Sequence, residues 1–244
     1  MPVDLSKAHA RRLFLRAQGL AGHQPALHGA KGTAQVIEGL GYVQIDTISV
    51  VERAHNHTLW SRQPDYAPEY LNRLFAHERR VMEYWYPAAS YIPIANYRFC
   101  LPMMQSAARH PSRRRWMEEH AQLVTEVLDR IRDHGPLTSA DFDAPKGFER
   151  TGWWSWKPAK RALEHLYSMG QLMVIERRGF QRVYDLAERF LPAEIDRSCP
   201  SDETLARFLA RQALDTLGVA GERNTRWRGR YRELLVQRML TAST

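Results

Sequence analysis

The segment PAKRALEHLYSMG at 158–170, followed by QLMVIERRGFQRVYDL at 171–186, decides how this chain folds. Pro158 suits the first turn of a helix, where its missing N–H would have no partner anyway. Leu163, Leu166 and Tyr167 recur at helical spacing and supply a buried side, and Gly170 supplies a stop. Residues 172–175 and 180–186 are β-branched or apolar on both sides of the turn Glu176-Arg177-Arg178-Gly179, which is the pattern of a hairpin. Upstream, Trp116, His120, Leu123, Val124, Val127 and Ile131 repeat along one helix that Gly135-Pro136 ends. Thr138 or Ser139 is placed to cap a one-turn helix over 140–142. Helix, short helix, longer helix and basic hairpin is the order of a winged helix. On that reading the third helix enters a DNA major groove with Lys157, Lys160 and Arg161 at its start. The hairpin then lays Arg177, Arg178 and Arg182 on phosphates.

Working outward, residues 5–20 read as a helix with Ala10, Leu13, Phe14, Ala17 and Leu20 on one face and Asp4 or Ser6 as cap. A second helix over 33–40 ends at Gly41, and 42–46 reads as a strand. Segment 67–77 looks helical, 81–88 strand-like, and Pro93 and Pro102 bracket a short, mostly helical piece. After Pro200, Ser201 caps a helix with Leu205, Phe208, Leu209 and Leu217 facing inward. The expected fold is mainly α with small β hairpins, built as tandem winged-helix modules. A first module is expected over 1–110, a second over 111–192, and an incomplete third over 193–244, where the chain stops before a recognition helix and hairpin.

The 244 residues carry a net charge of +8, and of 35 basic residues only Lys7, Lys31, Lys146, Lys157 and Lys160 are lysines. Arginine forks match phosphate oxygens and guanine edges in two-point contacts, so this balance suits a polyanion. The arginines cluster at Arg113, Arg114 and Arg115, at Arg177, Arg178 and Arg182, and again between Arg223 and Arg238. Two distant cysteines argue against a disulfide scaffold or a cysteine zinc site and suit a reduced compartment. With no signal peptide and no apolar run approaching the roughly 18 residues of a membrane span, a cytoplasmic, nucleoid-associated protein is expected.

Chemistry is best placed at Gln44-Ile45-Asp46. Alternate side chains of a strand share a face, so Gln44 and Asp46 point one way while Val43 and Ile45 point into the core. An amide and a carboxylate there can hold one water, the carboxylate accepting its proton and the amide fixing its orientation. The same charge can stabilise an oxocarbenium-like sugar as a glycosidic bond breaks. A polar solvent face of an ordinary strand explains the triplet equally well. His55-Asn56-His57 has two histidines at i, i+2 without further ligands at zinc spacing, so no metal and no cofactor are expected. These histidines and Arg62 adjoin the strand and are candidates for DNA contact. Trp60, Trp153, Trp154 and Trp156 suit either base stacking or module cores.

The block Leu40-Gly41-Tyr42-Val43-Gln44-Ile45-Asp46-Thr47-Ile48, with Glu52-Arg53-Ala54-His55 and Leu59-Trp60-Ser61-Arg62, resembles winged-helix DNA glycosylases of the YcaQ/AlkZ type. Met82-Glu83-Tyr84-Trp85, Gly152-Trp153-Trp154 and Phe180-Gln181-Arg182-Val183-Tyr184-Asp185-Leu186 extend the resemblance, which spans roughly residues 5–220. It implies tandem winged helices around a DNA channel and repair of interstrand crosslinks and bulky alkylated purines. It also implies a catalytic motif of glutamine, apolar residue and aspartate or glutamine, falling here on Gln44 and Asp46. Two features depart from it. Tyr86-Pro87-Ala88-Ala89 stands where relatives often carry a His-Glu pair, and the sequence stops inside the expected third helical module, where the family usually continues into a β-rich region; a natural short form, a fragment and a truncated product all fit. The expected protein is a metal-independent, monofunctional glycosylase acting as a monomer on double-stranded DNA with N7-alkylated or crosslinked purines. A non-enzymatic winged-helix DNA binder is the alternative.

Overall fold

The computed structural model describes residues 4–21, 27–46, 48–86, 88–142 and 158–220. Among these the chain is mainly helical, with two small antiparallel sheets. The Ser6 hydroxyl accepts from His9 N and opens α1 (Lys7–Ala17), meeting one of the amides that a helix start leaves unpartnered. Leu13 and Phe14, on the apolar face read from the sequence, are exposed. The second helix, α2 (Gly29–Leu40), begins a turn earlier than expected and closes at Gly41 with φ 76°. That region favours glycine, and a Cβ there would also strike Gln212.

β1 (Val43–Gln44), α3 (Ala54–Trp60) and α4 (Pro68–Asn72) follow, α4 running on as a π-helical turn over Arg73–His77. The hairpin of β2 (Val81–Trp85) and β3 (Ala89–Pro93) replaces the single strand expected over 81–88. β3 lies between the other two strands. Val43, Tyr91 and Glu83 form one rung, and Gln44, Ser90 and Tyr84 the next.

α5 (Tyr97–Arg109) runs straight through Pro102, which the sequence reading placed at a boundary. Burial of Cys100 and Met104 on either side of the proline outweighs the one backbone bond it removes. The single helix expected through Trp116 is two, α6 (Pro111–Glu119) and α7 (Ala121–His134), broken at His120 with φ −122°. Trp116 stays buried and stacks on the His120 ring at 4.2 Å.

No one-turn helix forms over 140–142. Thr138 N and Oγ1 both donate to Asp141 Oδ2, at 2.6 and 2.8 Å, and lock a turn instead. This leaves Leu137–Thr138 extended as β4, paired with β6. α8 (Pro158–Ser168), β5 (Leu172–Arg178) and β6 (Gln181–Leu186) match the helix and hairpin read from sequence, with a bulge between Val174 and Glu176. The strands reach further into the turn than expected, leaving Gly179 (φ 62°) and Phe180 at its tip.

A short α9 (Ala187–Phe190) leads to α10 (Asp202–Leu217), capped as expected by Ser201, which accepts from Thr204 N. The helix read as opening a third module packs against α1 and α2. Phe208 stacks on Phe99 at 3.6 Å, and Gln18 Nε2 donates to Thr216 O at 2.7 Å. One buried apolar cluster runs from Ile37, Leu74 and Ile92 to Ile131, Leu163 and Met173. No helix among the described residues is long and apolar enough to cross a membrane.

Candidate active site

The short strand β1 leaves the helix stop at Gly41 and enters the sheet edge with Val43 and Ile45 buried and Gln44 exposed. Ile45 N donates to Ala89 O at 2.8 Å, so the ladder holds the chain up to the residue before Asp46. Asp46 then leaves the sheet half-buried. Its backbone N donates to His55 Nδ1 at 3.3 Å, and its Oδ1 accepts from Ile48 N at 3.0 Å. Gln44 and Asp46 stand two residues apart on an extended chain, on the side opposite the buried Val43 and Ile45.

His55 is buried in the first turn of α3, with its ring edge-on to Tyr91 at 5.9 Å. Burial, reinforced by the Arg53 charge, lowers its pKa to about 4. The neutral ring has one nitrogen to accept with, and Nδ1 takes the Asp46 amide, so Nε2 carries the proton. The histidine expected to meet DNA therefore fixes the backbone of the candidate catalytic carboxylate. His57, two residues on, is exposed, so the two rings do not converge. Among the described residues no group of three potential ligands gathers for a metal.

Glu83 has no exposed surface in β2 and is the hub of an ion-pair network that sequence reasoning missed. Arg177 donates to it twice, Nε to Oε2 at 2.7 Å and Nη2 to Oε1 at 2.8 Å, and Arg182 Nε adds a third bond at 2.6 Å. Arg182 Nη1 reaches both oxygens of Glu164 at 2.9 and 3.0 Å, and Tyr184 donates to the same carboxylate. Burial alone would lower the Arg182 pKa, but Glu83 and Glu164 raise it. The side chains of Arg177 and Arg182 are 11% and 17% exposed, so they tie the second hairpin to the first sheet instead of facing solvent, where phosphates would be met. The signal was an acidic residue inside a strand whose other members are apolar or aromatic. Such a carboxylate needs buried cations as partners.

Other candidates divide the same way. Arg62 Nε donates to Gln18 O at 2.7 Å and Nη1 to Thr58 O at 2.8 Å, which joins α3 to the end of α1. Arg113 donates to His165 Nδ1 and to Ala107 O, and burial lowers its pKa. Arg114 and Arg115 are largely exposed and pair along α6 with Glu118 and Glu119. Arg161 is exposed with its guanidinium 4.9 Å from the Trp116 ring centre, and Lys160 is half-buried. Arg178 is exposed beside Glu176. Lys157, Trp153, Trp154, Trp156 and the arginines from Arg223 onward lie outside the described residues. A groove of about 610 Å³ between α5 and the start of α10 includes neither Gln44 nor Asp46 in its lining.

A match to the AlkZ-like DNA glycosylase family covers residues 37–243, most of the chain, with Gln44, Asp46, His55 and Glu83 inside it. The chain belongs to that family. The structure is also similar to that of Streptomyces sahachiroi DNA glycosylase AlkZ, with a TM-score of 0.56 at 21% identity. The likeness covers 87% of this chain and 58% of that one, so this family member spans under two thirds of that glycosylase. Within this AlkZ-like chain, Tyr86 donates to Gln212 Oε1 at 3.0 Å and sits edge-on to Tyr42. In this chain that position braces α10 against the first sheet.

Proposed function

We propose that this chain is a monofunctional DNA glycosylase that hydrolyses the N-glycosidic bond of purines alkylated at N7, including purines in interstrand crosslinks. Family membership supports the reaction class, and one observation carries the site. Asp46 emerges half-exposed from the end of a strand that presents Gln44, on a backbone pinned by Ile45 N–Ala89 O and Asp46 N–His55 Nδ1. N7 alkylation puts positive charge on the base and makes it a good leaving group, so little acid catalysis is needed. What remains is a water near C1′ and a negative charge opposite the developing oxocarbenium ion. Gln44 orients the water, and Asp46 accepts its proton and stabilises the sugar.

DNA affinity comes from exposed cations away from this pair, with Arg114, Arg115, Arg161 and Arg178 the best placed. The order α7, β4, α8, β5, β6 supports reading the second half as a winged helix within a tandem array. A crosslinked base is tied to the opposite strand and cannot leave the stack completely, so the DNA lies across an open surface. The protein acts as a cytoplasmic monomer.

The test is incubation of purified protein with duplex containing one N7-methylguanine, followed by hot alkali. Strand breaks at that guanine, above a control without protein, are expected. Tight binding without breaks would leave a non-enzymatic DNA binder.

A further inference from the structure

The turn immediately after Asp46 is built unlike a solvated loop. Ile48, Val50 and Val51 are 68%, 91% and 87% exposed, which places three large aliphatic side chains within four residues in water. A polar turn would be the ordinary solution, and contiguous apolar exposure marks a contact surface. The turn is also braced. Ser49 and Arg53 form a β-bridge across its neck, Asp46 Oδ1 holds Ile48 N, and Glu52 Oε1 accepts from Arg53 N at 2.6 Å. Behind the neck, the Arg53 guanidinium lies 4.0 Å from the centre of the Phe180 ring at the tip of the β5–β6 hairpin. An exposed aromatic, Trp85, ends β2 opposite Ala89, whose carbonyl bonds Ile45 N. It therefore stands at the same end of the sheet as Asp46.

We propose that this turn is an apolar wedge that enters the base stack of duplex DNA beside the scissile bond. The inference rests on the glycosylase reading above and adds how the enzyme opens its substrate. Chain geometry limits the choice of occupant. From Asp46 to Val50 the backbone reaches at most about 14 Å, or about four base-pair rises, so DNA with its C1′ at Asp46 has its grooves within reach of the tip. Aliphatic side chains pushed between base steps part them and kink the duplex, and stacked bases offer the apolar surface that the tip lacks in water. A crosslinked purine cannot be extruded. Unstacking its neighbour would then widen access to C1′ without moving the lesion across the helix.

The experiment uses the full chain and a duplex carrying 2-aminopurine next to an uncleavable 2′-fluoro N7-methylguanine nucleotide. Wild type should raise the 2-aminopurine emission several-fold on binding. The Ile48→Ser, Val50→Ser, Val51→Ser triple variant should leave it near the free-duplex level. Its melting temperature should be unchanged, since the three side chains are exposed. Single-turnover excision from the cleavable duplex should fall on the order of 10-fold or more for the loss of these apolar contacts. Restoring bulk with Val50→Leu and Val51→Leu beside Ile48→Ser should recover most of the emission.

Equal emission from wild type and triple variant would overturn the wedge. So would a wild-type dimer, seen by sedimentation, that the triple variant abolishes without altering the DNA signal, because the turn would then join copies of this chain. Unstacking without excision would keep the wedge and remove the glycosylase reading. Excision without unstacking would do the reverse.

Discussion

The two small sheets are built to one plan and used differently. In each, a helix stops at a glycine with positive φ, Gly41 at 76° or Gly135 at 83°, and a two-residue strand then pairs with the far strand of a hairpin. An aspartate follows shortly in both. Asp141 Oδ2 takes the Thr138 amide and hydroxyl, which hold its carboxyl below the usual range and close a turn. Asp46 Oδ1 likewise takes a backbone amide, from Ile48, but Asp46 is also held through its own backbone N by a neutral histidine, and it is half-buried next to the exposed Gln44 on the same strand end. The hairpins differ too. Arg177 and Arg182 of the second are consumed by Glu83 of the first. One copy of the plan is a brace, and the other, held by it, carries the Gln44 and Asp46 pair proposed for chemistry.

The largest effect should come from removing the carboxylate of the copy proposed to carry chemistry. Asp46→Asn keeps shape and backbone bonds but cannot accept the water's proton or oppose a sugar cation. Single-turnover excision should fall by roughly 100- to 10,000-fold, with melting temperature and DNA affinity preserved. Gln44→Ala should cost roughly 100-fold by freeing the water. Full activity in Asp46→Asn would erase the functional difference between the sheets.

Cutting the link comes next. Glu83→Ala leaves Arg177 and Arg182 facing each other without their shared anion. Breaking a buried pair in this way costs about 3–5 kcal/mol, read as a large drop in the denaturation midpoint. Excision should fall with the folded fraction. A Glu83→Ala protein of wild-type stability would mean that the sheets are not joined through this network.

Acid sharpens the comparison, because each sheet has a depressed histidine nearby. His55 and His165 titrate at about 4 in the folded state, well below the ordinary 6.5, and burial is the leading cause for both. The unfolded chain takes up these protons first. Their contribution is complete above about pH 6.5 and is lost as pH falls towards 4, by roughly 1.4 kcal/mol per pH unit per histidine. His55→Gln keeps an acceptor for Asp46 N and should flatten part of that slope. An unchanged slope would mean that His55 is already protonated in the fold.

The smallest effect belongs to the exposed cations. Arg114→Ala with Arg115→Ala should lower the salt dependence of DNA binding by about one unit per lost phosphate contact, with little change in stability. No change would move the DNA path off α6.

Much of this architecture was legible in the sequence because local chemistry decides it. Gly41, Ser201, Pro158 and the hairpin around Gly179 act within a few residues, and the β1 alternation needed only Val43, Gln44 and Ile45. What escaped depends on distant residues. Arg177 reads as a phosphate ligand until Glu83, 94 positions away, is folded against it. Thr138 is a local exception: it reads as a helix cap, yet Asp141, three residues on, takes its amide and hydroxyl and makes it a strand end. His55 reads as a DNA contact because nothing local reveals that it is buried against Tyr91. Charge near a site is visible in sequence, but whether that charge is already neutralised is a tertiary fact.

The contact between α1 and α10 has a consequence for how the molecule is made. Gln18 and Thr216 are 198 positions apart, and Gly218 rests against Leu13 and Ala17. The earlier helix therefore waits for a partner synthesised 198 positions later. At about 5–20 residues per second, that interval is roughly 10–40 s on the ribosome. During it α1 lacks its α10 contact, while the exposed Arg11, Arg12 and Arg16 keep it solvated. Its few apolar groups, none fully buried even in the finished fold, let it stay harmless until α10 arrives.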